Sequence, residues 1–252
     1  MNEAFPLVAL GIILVRPGVF IVATPVFGGD FIPPPVRVAL TLALGVVLLP
    51  LVHTPVPSSL AGLALIVAGE AAVGLALALS IRALIAGAEL AGHVAGFQIG
   101  LGYAAIVDPQ SGARNNVLSA LYGTLATVVF LGINAHHAML RALTRSYELL
   151  PPGNWQANTG LADAVTRLLG LVFLLGMQLA MPVIIVLLLV EVALGLVSRV
   201  APALNLMVIG FPLRLGVGLL VLAVGIQVVP GAIARYVPAA LDAAARLAWA
   251  HR

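Results

Sequence analysis

The sequence predicts an all-α, membrane-embedded bundle of about six apolar segments, in which proline and glycine break several helices and short turns form helical hairpins. Of its 252 residues, 62% are hydrophobic and 8% are charged, and the mean hydropathy is +1.16. A water-soluble protein would need more polar side chains to cover its surface. A helix crosses a bilayer with about 20 apolar residues. Four stretches without Asp, Glu, Lys or Arg are long enough to do so: 38–69, 115–140, 168–190 and 215–234.

The composition also excludes several classes of function. The twelve basic residues are all arginines, scattered singly along a chain of net charge +3, so no basic patch suggests nucleic acid as a partner. Cysteine is absent, which excludes disulfides and thiolate catalysis. No metal-binding or phosphate-binding motif occurs, and we expect neither a metal nor a cofactor. We expect residues 1–252 to form a single membrane-embedded domain, because no segment is polar and long enough for a soluble one.

The first part of the chain is expected to form three helices, joined by a proline-rich connection and a short turn: 6–27, 38–52 and 60 to about 85. The first helix should bend or break near its middle because it contains Pro17 and Pro25. Pro50 should break the second. The turn at 53–59 is short enough to make the second and third helices an antiparallel hairpin.

A glycine-rich segment, 90–107, follows. Three of its glycines recur at every fourth residue and share one helical face, with a fourth just beyond: Gly92, Gly96, Gly100 and Gly102. Small residues at this spacing let another backbone approach closely, so helix packing is favoured over a catalytic role. The polar turn at 108–116 lies between apolar segments, and at membrane depth such a turn must line a cavity or be buried in protein.

The second part of the chain is expected to contain two clear spans, a polar connector and a final amphipathic helix. The span 115–140 ends near two adjacent histidines, and the span 168–190 should be kinked at Pro182. Between them, 141–167 is the polar connector. Two half-helices and a further span are expected between 200 and 230, and the tail 235–252 should lie at a membrane interface.

Few residues are candidates for catalysis, metal binding or proton transfer. His136 and His137 are adjacent, so on a helix they point apart and a shared metal is not expected. Acids within membrane segments are costly, and an interhelical hydrogen bond is favoured over a proton relay for Glu70, Glu89 and Asp108. Ser111 with His136 is a weak match to a membrane serine protease, since the turn lacks a nucleophile-elbow pattern. An enzyme is therefore not expected.

Five blocks of sequence, in order between residues 14 and 230, resemble one family. They are RPGVFIVATPVFGGDFIPPPVRVALTLAL, GAELAGHVAGFQIGLGYAAIVDPQSG, FLGINAHHAMLRALTRSYELLPPG, LVFLLGMQLAMPVIIVLLLVEVALGLVSRVAPALN and IGFPLRLGVGL. Together they are similar to the FliR family of type III export gate proteins, whose virulence-secretion relative is called SctT. The chain departs from the family pattern by small substitutions at Ala88, Ala135 and Ala203.

The resemblance implies a non-enzymatic subunit that assembles with FliP and FliQ, as a FliPQR complex, to form the entry pore for unfolded export substrates. It also implies contact with FlhB, a position near FlhA, and a location in the bacterial inner membrane at the flagellar basal body.

The resemblance further implies two groups of site residues. The first forms a plug inside the pore: Gly100, Gly102, Tyr103, Ile106, Asp108 and Pro109. The second shapes helix packing and the subunit interface: Gly92, Gly96, Arg199, Pro202, Asn205, Gly210 and Pro212. Three alternatives stay open at this point, namely a virulence SctT subunit, a small-molecule secondary transporter built of broken helices, and a membrane-embedded enzyme that uses Ser111 or His136.

Overall fold

All regular elements in the described part of the chain are helical, which confirms the predicted fold class. The computed structural model describes residues 4–29, 32–55, 57, 59–101, 117–155, 161–201 and 206–249. Within them lie α1 (Ala4–Ala23), α2 (Pro25–Gly28), α3 (Pro34–Leu48), α4 (Leu60–Ile99), α5 (Val117–Gly132), α6 (Ala135–Leu149), α7 (Leu161–Val200), α8 (Leu206–Gly225) and α9 (Val229–Trp249). A 3₁₀ turn, Ile226–Val228, joins α8 to α9.

The predicted number of apolar segments is also confirmed for these residues. Three helical stretches are long and apolar enough to cross a membrane: Leu60–Ile99, Ala162–Val200 and Val208–Arg246. The bent pair α5 and α6 adds a fourth if it is counted as one span, and α1 and α3 contribute two shorter apolar helices. At about 1.5 Å per residue, α4 and α7, with 40 residues each, are about twice as long as a bilayer core is thick.

Some prolines lie at helix ends and others lie inside continuous helices. Pro25, Pro50 and Pro230 lie at or next to helix ends, as expected. The first helix was expected to bend or break near its middle, and a break at Pro17 is wrong, because α1 runs through it and ends only at Ala23. Helices α7 and α8 likewise continue through Pro182 and Pro212, and the two half-helices expected around Pro212 are one helix. Neighbouring groups satisfy freed backbone carbonyls in such helices.

The helix expected to end near Ile85 does not end there. It continues through Glu89 and the first glycines of the glycine-rich segment to Ile99. No proline lies between 85 and 99, and a Cβ added at Gly87 would lie only 3.0 Å from the Leu175 side chain of α7, so glycine lets the two helices approach closely. An interior glycine costs about 1 kcal/mol in a helix, which close packing of this kind offsets.

The stretch 141–167 contains the end of α6 and the beginning of α7. Residues up to Leu149 complete α6, and α7 begins at Leu161. The tail from Arg235 to Trp249 belongs to α9.

The chain divides into two compact units, each built from separate stretches of sequence. The first contains the residues up to Ala83, Phe130–Gly170, and those from Val237 onward. The second contains Leu84–Val129 and Leu171–Tyr236. The most extensive buried polar network lies in the first unit.

Candidate functional site

A buried ion pair forms the centre of the first unit. Arg16 of α1 is 0% exposed, and Glu70 of α4 is 1% exposed. The arginine Nε donates to Oε2 of Glu70 at 2.9 Å, and its Nη2 donates to Oε1 at 3.0 Å. Two parallel bonds of this kind, between opposite charges, are among the strongest hydrogen bonds in proteins. Both carboxylate oxygens of Glu70 are therefore engaged.

The remaining surface of the Arg16 guanidinium is also occupied. Nη1 donates to the Ser146 hydroxyl of α6 at 2.8 Å, and Nη2 donates to the Leu150 carbonyl at 3.0 Å. The guanidinium carbon lies 4.0 Å from the centre of the Tyr147 ring, a cation–π contact. Four of the five N–H groups thus have a partner, and one side chain ties α1 to α4, α6 and the turn after α6.

Tyr147 also explains why α1 continues through Pro17. Proline has no backbone N–H, so the carbonyl of Ile13, four residues earlier, loses its helical donor. The Tyr147 hydroxyl donates to that carbonyl at 2.9 Å and replaces the missing bond. The Arg16–Pro17 dipeptide therefore marks the point at which α1 docks on α6.

Glycines in α4 allow the helices to approach at this level. A Cβ added at Gly74 would lie 2.5 Å from the backbone oxygen of Arg16, so only glycine fits there. On the other side of Glu70, a Cβ at Gly69 would lie 3.0 Å from the Trp155 side chain. The ion pair is thus enclosed by close packing from both directions along α4.

This arrangement suits a structural anchor. The interhelical hydrogen bond predicted for Glu70 is confirmed, with Arg16 as its partner. Sequence reasoning did not identify that partner. The available signal was the arginine inside the first apolar run, which requires a counter-charge when it is buried. Arg82, an arginine on the same helix as Glu70, is exposed. Among the described residues no group of three His, Cys, Asp or Glu side chains could hold a metal.

Gly92 lies buried in the second unit, on α4. A Cβ there would collide with the backbone of Leu118 and Ser119 on α5, so the two helices are in direct contact at this position. Ser119 donates its hydroxyl proton to the carbonyl of Glu89 at 3.0 Å, which adds a bond between the same helices. Gly96, one turn further along α4, is also buried.

Gly100 terminates α4. Its φ of 97° lies in the left-handed region that glycine adopts without strain. Its N–H donates to the Phe97 carbonyl at 3.1 Å, and the Leu101 N–H donates to the Gly96 carbonyl at 2.9 Å, the bond pattern of a Schellman cap. The remaining residues predicted for the plug, with Ser111, lie outside the described residues: Gly102, Tyr103, Ile106, Asp108 and Pro109.

The residues predicted for the subunit interface are only partly described. Arg199 is exposed near the end of α7, and Pro212 is exposed within α8. Gly210 is buried, and a Cβ there would lie 3.5 Å from the Leu194 side chain of α7. Pro202 and Asn205 fall outside the described residues.

The surfaces of α7 and α8 in the second unit are strongly apolar and widely exposed. In the span Ala162–Val200 only 17% of the most apolar window is buried. In the span Val208–Arg246 the buried share of the corresponding window is 28%. The exposed large side chains include Phe173, Leu174, Ile185, Leu188, Leu189, Val192, Leu196, Val208, Phe211, Leu220 and Val224.

An ion pair that sequence reasoning missed interrupts this apolar surface. Arg214 Nη1 lies 3.6 Å from Glu191 Oε1, and their side chains are 38% and 39% exposed. Ionisable groups inside membrane spans face a protein interior or a water-filled cavity and avoid lipid. This surface therefore requires a covering partner or water near the pair.

Comparison with known proteins identifies relatives over most of the chain. Residues 7–239 match the family described as "Bacterial export proteins, family 1". The flagellar biosynthetic protein FliR of Bacillus subtilis (strain 168) is 30% identical over 231 residues, which cover 90% of this chain and 88% of that protein. The protein of the same name from Pectobacterium carotovorum is 34% identical over 209 residues, covering 82% and 79% of the two chains. That from Escherichia coli (strain K12) is 38% identical over 151 residues, covering 60% and 58%.

Proposed function

The chain belongs to family 1 of the bacterial export proteins, and from this premise we propose that it is a subunit of the flagellar type III protein export gate. It is a membrane-embedded component of the flagellar export apparatus. In our proposal it assembles with FliP and FliQ around the pore that unfolded substrates pass through, contacts FlhB, and lies near FlhA. Its place is the bacterial inner membrane, at the flagellar basal body, and its role is non-enzymatic.

The observation that carries this proposal is the half-exposed pair of Glu191 and Arg214 within an apolar surface. Lipid does not satisfy such a pair, since a charge left uncovered inside a membrane span costs about 3 kcal/mol or more at the bilayer centre. Partner subunits, or a water-filled conduit between subunits, remove that cost. The largely uncovered apolar windows of α7 and α8 offer such partners a broad surface.

Interface contact can be tested with introduced cysteines, because the chain has none of its own. Val192→Cys places a thiol one residue from Glu191, at a side chain that is 55% exposed. With FliP-like and FliQ-like subunits co-expressed in the membrane, a bifunctional thiol–amine reagent should link this position to one of them. Asp163→Cys is the matched control, since that side chain is 62% exposed but belongs to an exposed ion pair in the other unit. Equal adduct yields at both positions, or no adduct at Val192→Cys, would contradict the interface.

We further propose that the segment beginning at Gly100 closes the pore at rest. Tyr103 and Ile106 would supply apolar bulk that excludes water and ions from a narrow passage. Glycines 100 and 102 would let the segment rearrange at low conformational cost, and Asp108 with Pro109 would begin the polar turn that follows. Support comes from the resemblance to the family and from the end of α4 at this point.

Ion leak through the assembled complex tests the plug. Deleting residues 104–112 should raise the leak of proteoliposomes that contain the complex, and Tyr103→Ser with Ile106→Ser should raise it to a smaller extent. Val117→Ser is the control, because this apolar residue just beyond the segment is 75% exposed. A leak equal to that of the unaltered complex after the deletion would refute the plug role and leave family membership untouched.

The residues of the second group are proposed to shape the contacts between helices and subunits. They are Gly92, Gly96, Arg199, Pro202, Asn205, Gly210 and Pro212. Support comes from the close approach of α5 at Gly92 and from the exposure of Arg199 and Pro212. Substituting Arg199 or Pro212 should lower the recovery of partner subunits without unfolding the chain.

A further inference from the structure

A groove of about 550 Å³ in the first unit combines two arginines with apolar walls. Arg141 and Arg145 of α6 line it together with Leu149, and Leu77 of α4 and Leu241 of α9 form much of the remaining wall. Asp242 of α9 supplies the acid in the lining. None of the residues that line the groove belongs to the buried network of Arg16 or to the two groups of site residues proposed above.

The charges in the groove leave an excess of positive charge. Arg141 and Arg145 are one helical turn apart and therefore project from the same face of α6. Both are exposed, and neither guanidinium has an ion-pair or hydrogen-bond partner in the part of the chain that the structure describes. Asp242 compensates one of the two charges, while Glu148, the nearest acid along α6, lines a different cavity.

The α9 side of the groove lies close to one end of a candidate membrane span. Asp242 is four residues from Arg246, the last residue of the candidate span Val208–Arg246. Charged residues concentrate at such span ends, at the level of the lipid headgroups. The leucines on the walls would meet the first methylenes of an acyl chain while the arginines meet the phosphate.

From this combination we propose that the groove binds the phosphate headgroup of an anionic membrane phospholipid, with Arg141 and Arg145 as its ligands. Arginine forms two parallel bonds to phosphate oxygens, and two arginines one turn apart present several donors to one phosphate. The leucine walls favour a lipid over free phosphate, which would gain nothing from them. Asp242 repels the same phosphate and weakens binding.

Native mass spectrometry of the full chain in detergent tests the proposal by titration with dioleoylphosphatidylglycerol, and with dioleoylphosphatidylethanolamine for comparison. A basic residue near an anionic lipid contributes about a factor of five in affinity. Arg141→Gln and Arg145→Gln should each weaken phosphatidylglycerol binding about fivefold, and the two together about 25-fold. Asp242→Asn should strengthen it, a result that a merely structural role for these side chains does not produce.

Arg167→Gln is the matched control. It also removes one exposed arginine of the first unit, but this guanidinium bonds Asp163 at 2.9 Å and does not line the groove. We expect less than about a twofold effect, since an exposed charge outside the site contributes little. Unchanged thermal unfolding of all five variants shows that they are folded.

Four results would overturn the proposal. One is equal affinity for the two lipids, and another is an effect of Arg167→Gln as large as that of Arg141→Gln. The third is displacement of phosphatidylglycerol by millimolar inorganic phosphate, which would identify a site for the free ion. If the double arginine variant keeps its lipid and instead loses a co-purifying subunit, the groove binds an acidic protein segment and the lipid assignment is wrong.

Discussion

Replacing Glu70 with Gln is the sharpest test of the buried network. The substitution keeps the shape of the side chain but removes the negative charge opposite Arg16, which is 0% exposed. The amide nitrogen would also face a guanidinium donor, so one of the two bonds, at 2.9 and 3.0 Å, is lost. Breaking one side of a buried ion pair costs about 3–5 kcal/mol. For a chain of this length that lowers the midpoint of thermal unfolding by roughly 6–20 °C.

The double variant Arg16→Met with Glu70→Met distinguishes an ion pair from general sensitivity of the site. Neither buried charge is left without its partner, so the double variant should be more stable than either single variant. Some loss remains, because the Leu150 carbonyl then has no donor from position 16. Two single effects that simply add in the double variant would refute the coupling.

Tryptophan fluorescence during heating of the detergent-purified chain is a suitable assay. Trp155 packs beside Gly69, next to Glu70, and the second tryptophan of the chain is removed by Trp249→Phe. The control is Arg167→Gln in the pair with Asp163, which has the same 2.9 Å distance but side chains 55% and 62% exposed. Its expected cost is below about 1 kcal/mol. If Glu70→Gln lowers the midpoint no more than this control does, the network does not anchor the unit.

Further predictions concern single contacts. Tyr147→Phe removes the donor that replaces the N–H missing at Pro17, and should cost about 1–2 kcal/mol in the same assay. Pro17→Ala restores that N–H, and a cost of Tyr147→Phe that is unchanged in this background would contradict the explanation. Gly92→Ala should reduce the yield of folded chain in size-exclusion chromatography, because its Cβ meets the backbone of α5. Gly216→Ala, in open space within α8, should not, and equal yields would argue against close packing at Gly92. Gly100→Val should cost about 1–3 kcal/mol because φ is 97° there, and an unchanged unfolding midpoint would show that the helix end adjusts freely.

Much of the fold could be predicted because hydrophobic runs report directly on membrane helices. The length and continuity of the helices could not be predicted from the sequence. The sequence around Pro17 predicts a bend or a break, and the hydroxyl that bonds the freed carbonyl, that of Tyr147, is 134 residues away in the chain. The continuation of α4 past Ile85 likewise depends on its packing against α7 near Gly87. The helix propensities of the residues in this segment give no information about that tertiary contact.

The candidate site was predictable in kind but not in detail. An acid at Glu70 inside an apolar run predicts a polar partner, since the membrane offers none. Which arginine provides it depends on how α1 meets α4, and thus on the absence of a side chain at Gly74. The pair of Glu191 and Arg214 was missed for a similar reason, because its members lie on different helices that only the fold brings together.

The most direct test of the central claim, that this chain works as one subunit of a multi-protein conduit, is purification of the tagged chain from membranes of its own bacterium. Mass spectrometry of the purified material should find FliP-like and FliQ-like subunits in fixed ratios to the chain. A chain that emerges alone under mild detergent, and carries out substrate transport by itself in lipid vesicles, would contradict the account.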